Sequence, residues 1–321
     1  MLRLPIRIVL IPILLVGAFT SFHAQSPAGG QTPAAQPAGY PAKGQPAIVR
    51  LTSAGTAPRS VLRYAVAANY KTHMDMSIAM GLSVSGPGSP AHQIQMPAMT
   101  IGAELSVTNV TPAGDVSYEF AYTSVRLDGS GAVDPEIAPL FQNLDGDVKT
   151  VRGAATMTSW GVTRDARIDT SKMTNPLMSE TLDSLSNSLA GLTVPLPQEA
   201  VGAGARWESR QTIQTRGLAV FQRTLWELIA LDGKTMKLKT AIEQTAPPQS
   251  LSNERMPAGS ERMLQKFTGR GSGTVTIALD ALVPTSEVNS QTDMTMTTRT
   301  GGQTHQLSLS DTMKLTIAPG K

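Results

Sequence analysis

Between His73 and Ser85 the chain alternates without a break. Met74, Met76, Ile78, Met80, Leu82 and Val84 fall on one side, and His73, Asp75, Ser77, Ala79, Gly81, Ser83 and Ser85 on the other. Successive side chains of an extended backbone point to opposite faces, so this segment is a long strand with one buried face. The pattern recurs at Met99, Ile101, Ala103, Leu105 and Val107. It reaches a turn at Thr111-Pro112-Ala113-Gly114-Asp115 and returns through Val116, Tyr118, Phe120 and Tyr122, which is the signature of a hairpin. In the second half Leu225 to Leu231 leads through Asp232-Gly233 to Met236, Leu238 and Ile242. Val275, Ile277 and Leu279 follow, then Val288 to Met296, then Leu307, Leu309, Met313, Leu315 and Ile317. Short turns link these segments and no helix alternates with them. The expected fold is mainly β (α+β): a large curved antiparallel sheet of about ten long strands with one or two covering helices.

One helix is well marked. Asn175 can cap it, Pro176 takes its first position and Gly191 can close it. Met178, Leu182, Leu185, Leu189 and Leu192 make a narrow apolar stripe that must lie on something, and the apolar sheet face is the large candidate. A shorter helix is expected over 135–144. Residues 25–58 are rich in Pro, Gly and Ala and read as a flexible linker, with almost nothing apolar to bury before residue 47. The β-rich domain is expected over 59–319. Arg152-Gly153-Ala154-Ala155-Thr156-Met157-Thr158 is similar to Arg270-Gly271-Ser272-Gly273-Thr274-Val275-Thr276. Two duplicated halves, 59–170 and 200–319, joined by helix 175–191, would explain that similarity, and low-complexity coincidence explains it equally well.

The N-terminus reads as a signal peptide over 1–24. Arg3 and Arg7 form its positive region, Ile8 to Phe19 its apolar run, and Thr20, Ser21 and Ala24 the small residues near a cut. Export then corrects the charge. The chain carries 27 Lys and Arg against 24 Asp and Glu; two arginines leave with the signal, so the balance falls from +3 to +1. That near-neutrality, with no dense Lys/Arg cluster, argues against nucleic acid as a partner. There is no cysteine. Disulfides, thiolate metal sites, cysteine nucleophiles and the lipid-attachment cysteine of a lipoprotein all fall away together. The expected location is periplasmic or extracellular.

A search for chemistry returns little. Once His23 leaves with the signal, His73, His92 and His305 remain, widely spaced, so no metal or cofactor is expected. Asp128-Gly129-Ser130-Gly131 and Asp145-Gly146-Asp147 lack the alternating ligands of a calcium loop. Fifteen methionines in an exported chain raise copper, but Met at alternate strand positions is what a core needs, and His73 faces away from Met74 and Met76. No Gly-x-Ser-x-Gly or Ser-x-x-Lys element is present, and no catalytic residue is assigned.

One string is distinctive: Pro197-Gln198-Glu199-Ala200-Val201-Gly202-Ala203-Gly204-Ala205-Arg206-Trp207. The glycines suit a turn with positive φ, and Trp207 then anchors the next strand in the core. It resembles the Pro-x-x-x-Val-Gly-x-Gly-x-x-Trp element of uncharacterised exported bacterial β-rich families. The resemblance implies a cell-envelope location and β architecture, and no catalytic residue.

The leading functional expectation is a non-enzymatic envelope protein that carries a hydrophobic small molecule or lipid between sheet and helix. Its lining would be Met74, Met76, Ile78, Met80, Met178, Leu182, Leu185 and Leu189. One alternative is a structural scaffold with a filled core that meets another envelope protein. The other is a hydrolase with a scattered active site.

Overall fold

The computed structural model describes residues 36–128, 141, 143–174, 193–215, 218–251, 261–300 and 303–320. The alternating segments form one antiparallel sheet of 14 strands. In chain order these are β1 (Ile48–Ser53), β2 (Lys71–Ser85), β3 (His92–Gln95), β4 (Ala98–Val110), β5 (Val116–Asp128), β6 (Arg152–Met157), β7 (Thr163–Asp169), β8 (Arg206–Thr215), β9 (Leu218–Asp232), β10 (Thr235–Ala246), β11 (Gln249–Ser250), β12 (Glu261–Ala278), β13 (Thr285–Thr300) and β14 (Gln303–Pro319). In space the order is β1-β8-β9-β10-β12-β13-β14-β2-β4-β5-β6-β7, with β3 beside β2 and β11 beside β12. Two runs of hairpins therefore join where β14 pairs with β2, with Met313 opposite Met80 and Leu315 opposite Ile78.

The strand count exceeds the expected ten because several strands carry no apolar stripe. β7 reads Thr-Arg-Asp-Ala-Arg-Ile-Asp, and β11 is two residues long. β1 lies within the 25–58 stretch read as linker, so pairing to the sheet begins upstream of residue 59. Upstream again, Pro41 is buried; its carbonyl accepts a hydrogen bond from Thr212 Oγ1 at 2.6 Å, and the Tyr40 ring packs edge-on against Phe221 at 5.3 Å. The covering helices are not among the described residues. Helix 175–191 lies outside them, as does most of 135–144, and the described helix α1 (Leu144–Val148) has five residues.

The sheet is rolled. Pro195 and Leu196 bridge β8 to the end of β6, Pro195 O accepting from Trp207 on β8 and Leu196 N–H donating to Trp160 O just after β6. A flat sheet would hold those strands roughly 40 Å apart, at about 4.8 Å per strand. The roll is closed at one end by connecting segments. Tyr64 N–H donates to Ser159 O at 2.8 Å, Ala65 N–H to Leu279 O at 2.7 Å, and Leu196 N–H to Trp160 O at 2.8 Å. Trp207 is fully buried there, its Nε1–H donating to Pro195 O at 2.8 Å. The two glycines before it act differently. Gly204 has φ of +75°, and a Cβ there would touch nothing, whereas a Cβ at Gly202 would collide with the carbonyl oxygen of Thr56. Gly202 is therefore needed for close approach and Gly204 for backbone conformation.

Candidate functional site

Strand alternation divides the sheet into an inner face, carrying Met74 to Leu82, and an outer face, carrying His73 to Gly81. The inner face holds two buried apolar clusters. The larger contains Met74, Met76, Ile78, Ile101, Leu105, Trp207, Trp226 and Leu238, with Met80 packed against it. The smaller contains Leu82, Ile94, Phe267, Met294, Met296 and Leu309. Of the residues expected to line a ligand cavity, Met74 and Met76 are each 1% exposed and Ile78 3%, all within the larger cluster. Met178, Leu182, Leu185 and Leu189 lie outside the described residues.

Between the clusters runs a row that the alternation did not reveal. Gln211 on β8 pairs with Gln222 on β9, Gln222 with Gln244 on β10, Gln244 with Gly269 on β12, Gly269 with Thr292 on β13, and Thr292 with Asp311 on β14. The five polar side chains are all buried. Gln244 Nε2 donates to Gln222 Oε1 at 2.7 Å, and Gln222 Nε2 to Thr224 Oγ1 at 3.1 Å. Gly269 leaves room for Gln244, whose side chain would meet a Cβ there. Burial pushes the Asp311 carboxyl up to about 7; nearby Asp293 adds to the rise and a hydrogen bond with Thr292 opposes it. The row crosses six strands, hydrogen-bonded between Gln222 and Gln244 and between Thr292 and Asp311, with a carboxylic acid at its end beside Leu82.

The outer face carries a cluster of ion pairs. Under Tyr40, buried Glu208 binds Arg210 at 2.9 Å and Arg223 at 2.7 Å, and Arg223 reaches Glu243 at 3.4 Å. The hydrogen bond that Arg223 Nε donates to Glu208 Oε2 leads the causes that raise the Arg223 pKa. Two open grooves also occur. One of about 780 Å³ involves β2, β12, β13 and β14, with Met80, Met96, Arg270, Gln291 and Lys314 among its walls. The other, of about 550 Å³, crosses β4 to β7 and is lined by Glu104, Glu119, Arg152, Arg167 and Asp169 around Ala121, Gly153 and Ala154.

The histidines do not converge. His73 lies on β2, 3.7 Å from Glu104, while His92 is paired with Val84 near the far end of the same strand. Among the described residues no group of three or more His, Asp or Glu could hold a metal ion. Met74 and Met76 belong to one apolar cluster and Met294 and Met296 to the other.

No protein-family model matches this chain, and the comparison with curated proteins returns no match. Among solved structures, the crystal structure of Pseudomonas aeruginosa OpdQ is similar over 78% of this chain and 99% of that one, at 7% identity and a TM-score of 0.18. A likeness that low carries no argument about fold or function. Among the described residues no helix is long and apolar enough to cross a membrane, which says nothing of strands.

Proposed function

We propose that the chain is an exported envelope protein without chemistry of its own, a rigid binding module with a filled interior that meets its ligands on the outer sheet face. The observation that supports this reading is the burial of Met74 and Met76 among Trp207, Trp226 and Leu238. Side chains covered this completely fit a core filled by the chain itself, which would leave no space for an apolar guest along that part of the inner face. The signal-like stretch 1–24 supports export. The test is titration of the purified protein with an environment-sensitive apolar dye and with a long-chain fatty acid. No saturable binding is expected. One-to-one binding that Met74→Ala weakens would overturn the reading.

A second reading keeps the apolar carrier and moves its site to the smaller cluster around Phe267 and Leu309. What favours it is the buried row from Gln211 to Asp311, a polar floor suited to the head of an amphipathic ligand. Saturable binding that Phe267→Ala abolishes and Met74→Ala leaves intact would select it.

A further inference from the structure

The groove across β4 to β7 has one acidic wall and one basic wall. The cross-strand rows are Glu104–Ala121–Arg152–Asp169 and Ser106–Glu119–Ala154–Arg167. Glu104 and Glu119 lie on β4 and β5, and Arg152 and Arg167 on β6 and β7. In each row an alanine separates acid from base. Glu119 stands two strands from Arg167, and Glu104 two strands from Arg152, about 10 Å in each case.

Opposite charges on neighbouring strands usually meet. Here they do not: no ion pair joins either wall to the other among the described residues. Each charge is held or left on its own side. Arg152 Nη1 donates to the carbonyls of Lys149 at 2.6 Å and Val151 at 2.8 Å, which fixes its guanidinium at the wall. Glu104 has His73 at 3.7 Å behind it. Asp169, the acid that lines the groove on the basic side, is occupied by the backbone N–H and hydroxyl of Ser171, which hold its carboxyl below the usual range. The floor between the walls is small: Ala121, Gly153 and Ala154.

We infer that this groove binds a short extended peptide with free termini, its ammonium group towards Glu104 and Glu119 and its carboxylate towards Arg152 and Arg167. An extended tripeptide spans at most about 10 Å, which matches the separation of the walls. Arginine suits the carboxylate end because its planar fork can grip both oxygens. The inference rests on the outer-face reading above and names a ligand class for it.

The experiment is calorimetric or NMR titration of the full protein with trialanine at low and at physiological ionic strength. Four forms are compared: free, N-acetylated, C-amidated and blocked at both ends. Saturable binding of the free peptide is expected, weakening as salt screens the walls. Blocking both ends should reduce affinity at least tenfold. Glu119→Gln should weaken the free peptide severalfold and leave the N-acetylated peptide nearly unaffected; Arg167→Gln should do the same for the C-amidated peptide. Among the described residues neither side chain has a hydrogen-bond or ion-pair partner to lose, so both variants should keep the wild-type melting temperature. Equal affinity for free and doubly blocked peptide, or no saturable binding, overturns the inference. Either result leaves the outer-face reading to stand or fall on the apolar titration.

Discussion

Asp311 on β14 and Thr292 on β13 stand directly opposite each other on the inner face, hydrogen-bonded at the end of the polar row that separates the two apolar clusters. Leu309 and Met313 flank Asp311 on the same face, and both are buried. The acid therefore occupies a core position, and the charge balance of the fold turns on its protonation.

That placement predicts a pH dependence with a definite sign. The folded chain holds the Asp311 proton up to about pH 7, whereas an unfolded aspartate releases it near pH ~4. Between those values the unfolded state binds fewer protons, so stability falls as pH rises through that window and levels off above it. The loss attributable to Asp311 is roughly 4 kcal/mol, at about 1.4 kcal/mol per pH unit. Urea unfolding at pH 5 and pH 8 captures about two of those three pH units, roughly 3 kcal/mol of the loss. Asp311→Asn should flatten the difference and raise the midpoint at pH 8.

The two glycines before Trp207 should respond differently to a methyl group. Gly202→Ala drives its Cβ into the Thr56 carbonyl and should cost about 2 kcal/mol or more. Gly204→Ala meets no atom and pays only for positive φ, about 1 kcal/mol. Thermal melts of the two variants rank them. A larger loss at Gly204 would contradict the close approach of residues 54–58 to 200–204.

Tyr40 should behave as part of the fold rather than as tether. Its ring lies 5.3 Å from Phe221, which is 2% exposed although it points to the outer face. Tyr40→Ala should destabilise by about 1–2 kcal/mol, and a double-mutant cycle with Phe221→Ala should show a coupling near ~1 kcal/mol. Additive effects would mean that residues 36–47 do not cover β8 and β9 in solution.

The long strands were legible because their physics is local. Each Met, Ile or Leu from Met74 to Leu82 falls on one parity, and burial of one sheet face demands nothing more. The neighbours of each strand were legible where a turn such as Asp232-Gly233 made them consecutive. The β14–β2 pair was not, because nothing in either strand names a partner more than two hundred residues away. Nor was the polar row. Gln211, Gln222 and Gln244 read one at a time as solvent-facing residues, and only the register aligns them. Asp311 did leave a signal: it holds the apolar parity between Leu309 and Met313. A carboxylate at such a position points to a buried partner. The groove between Glu119 and Arg167 was hidden for the same reason as the row, since β5 and β7 become neighbours of β6 only through pairing.

The claim at the centre of this account is that the rolled sheet is filled by its own side chains. Native mass spectrometry of the protein purified from its source membrane fraction and supernatant, followed by organic extraction, tests it most directly. The account predicts the bare polypeptide mass and no lipid in the extract. A stoichiometric adduct that extraction releases as an apolar molecule would contradict it.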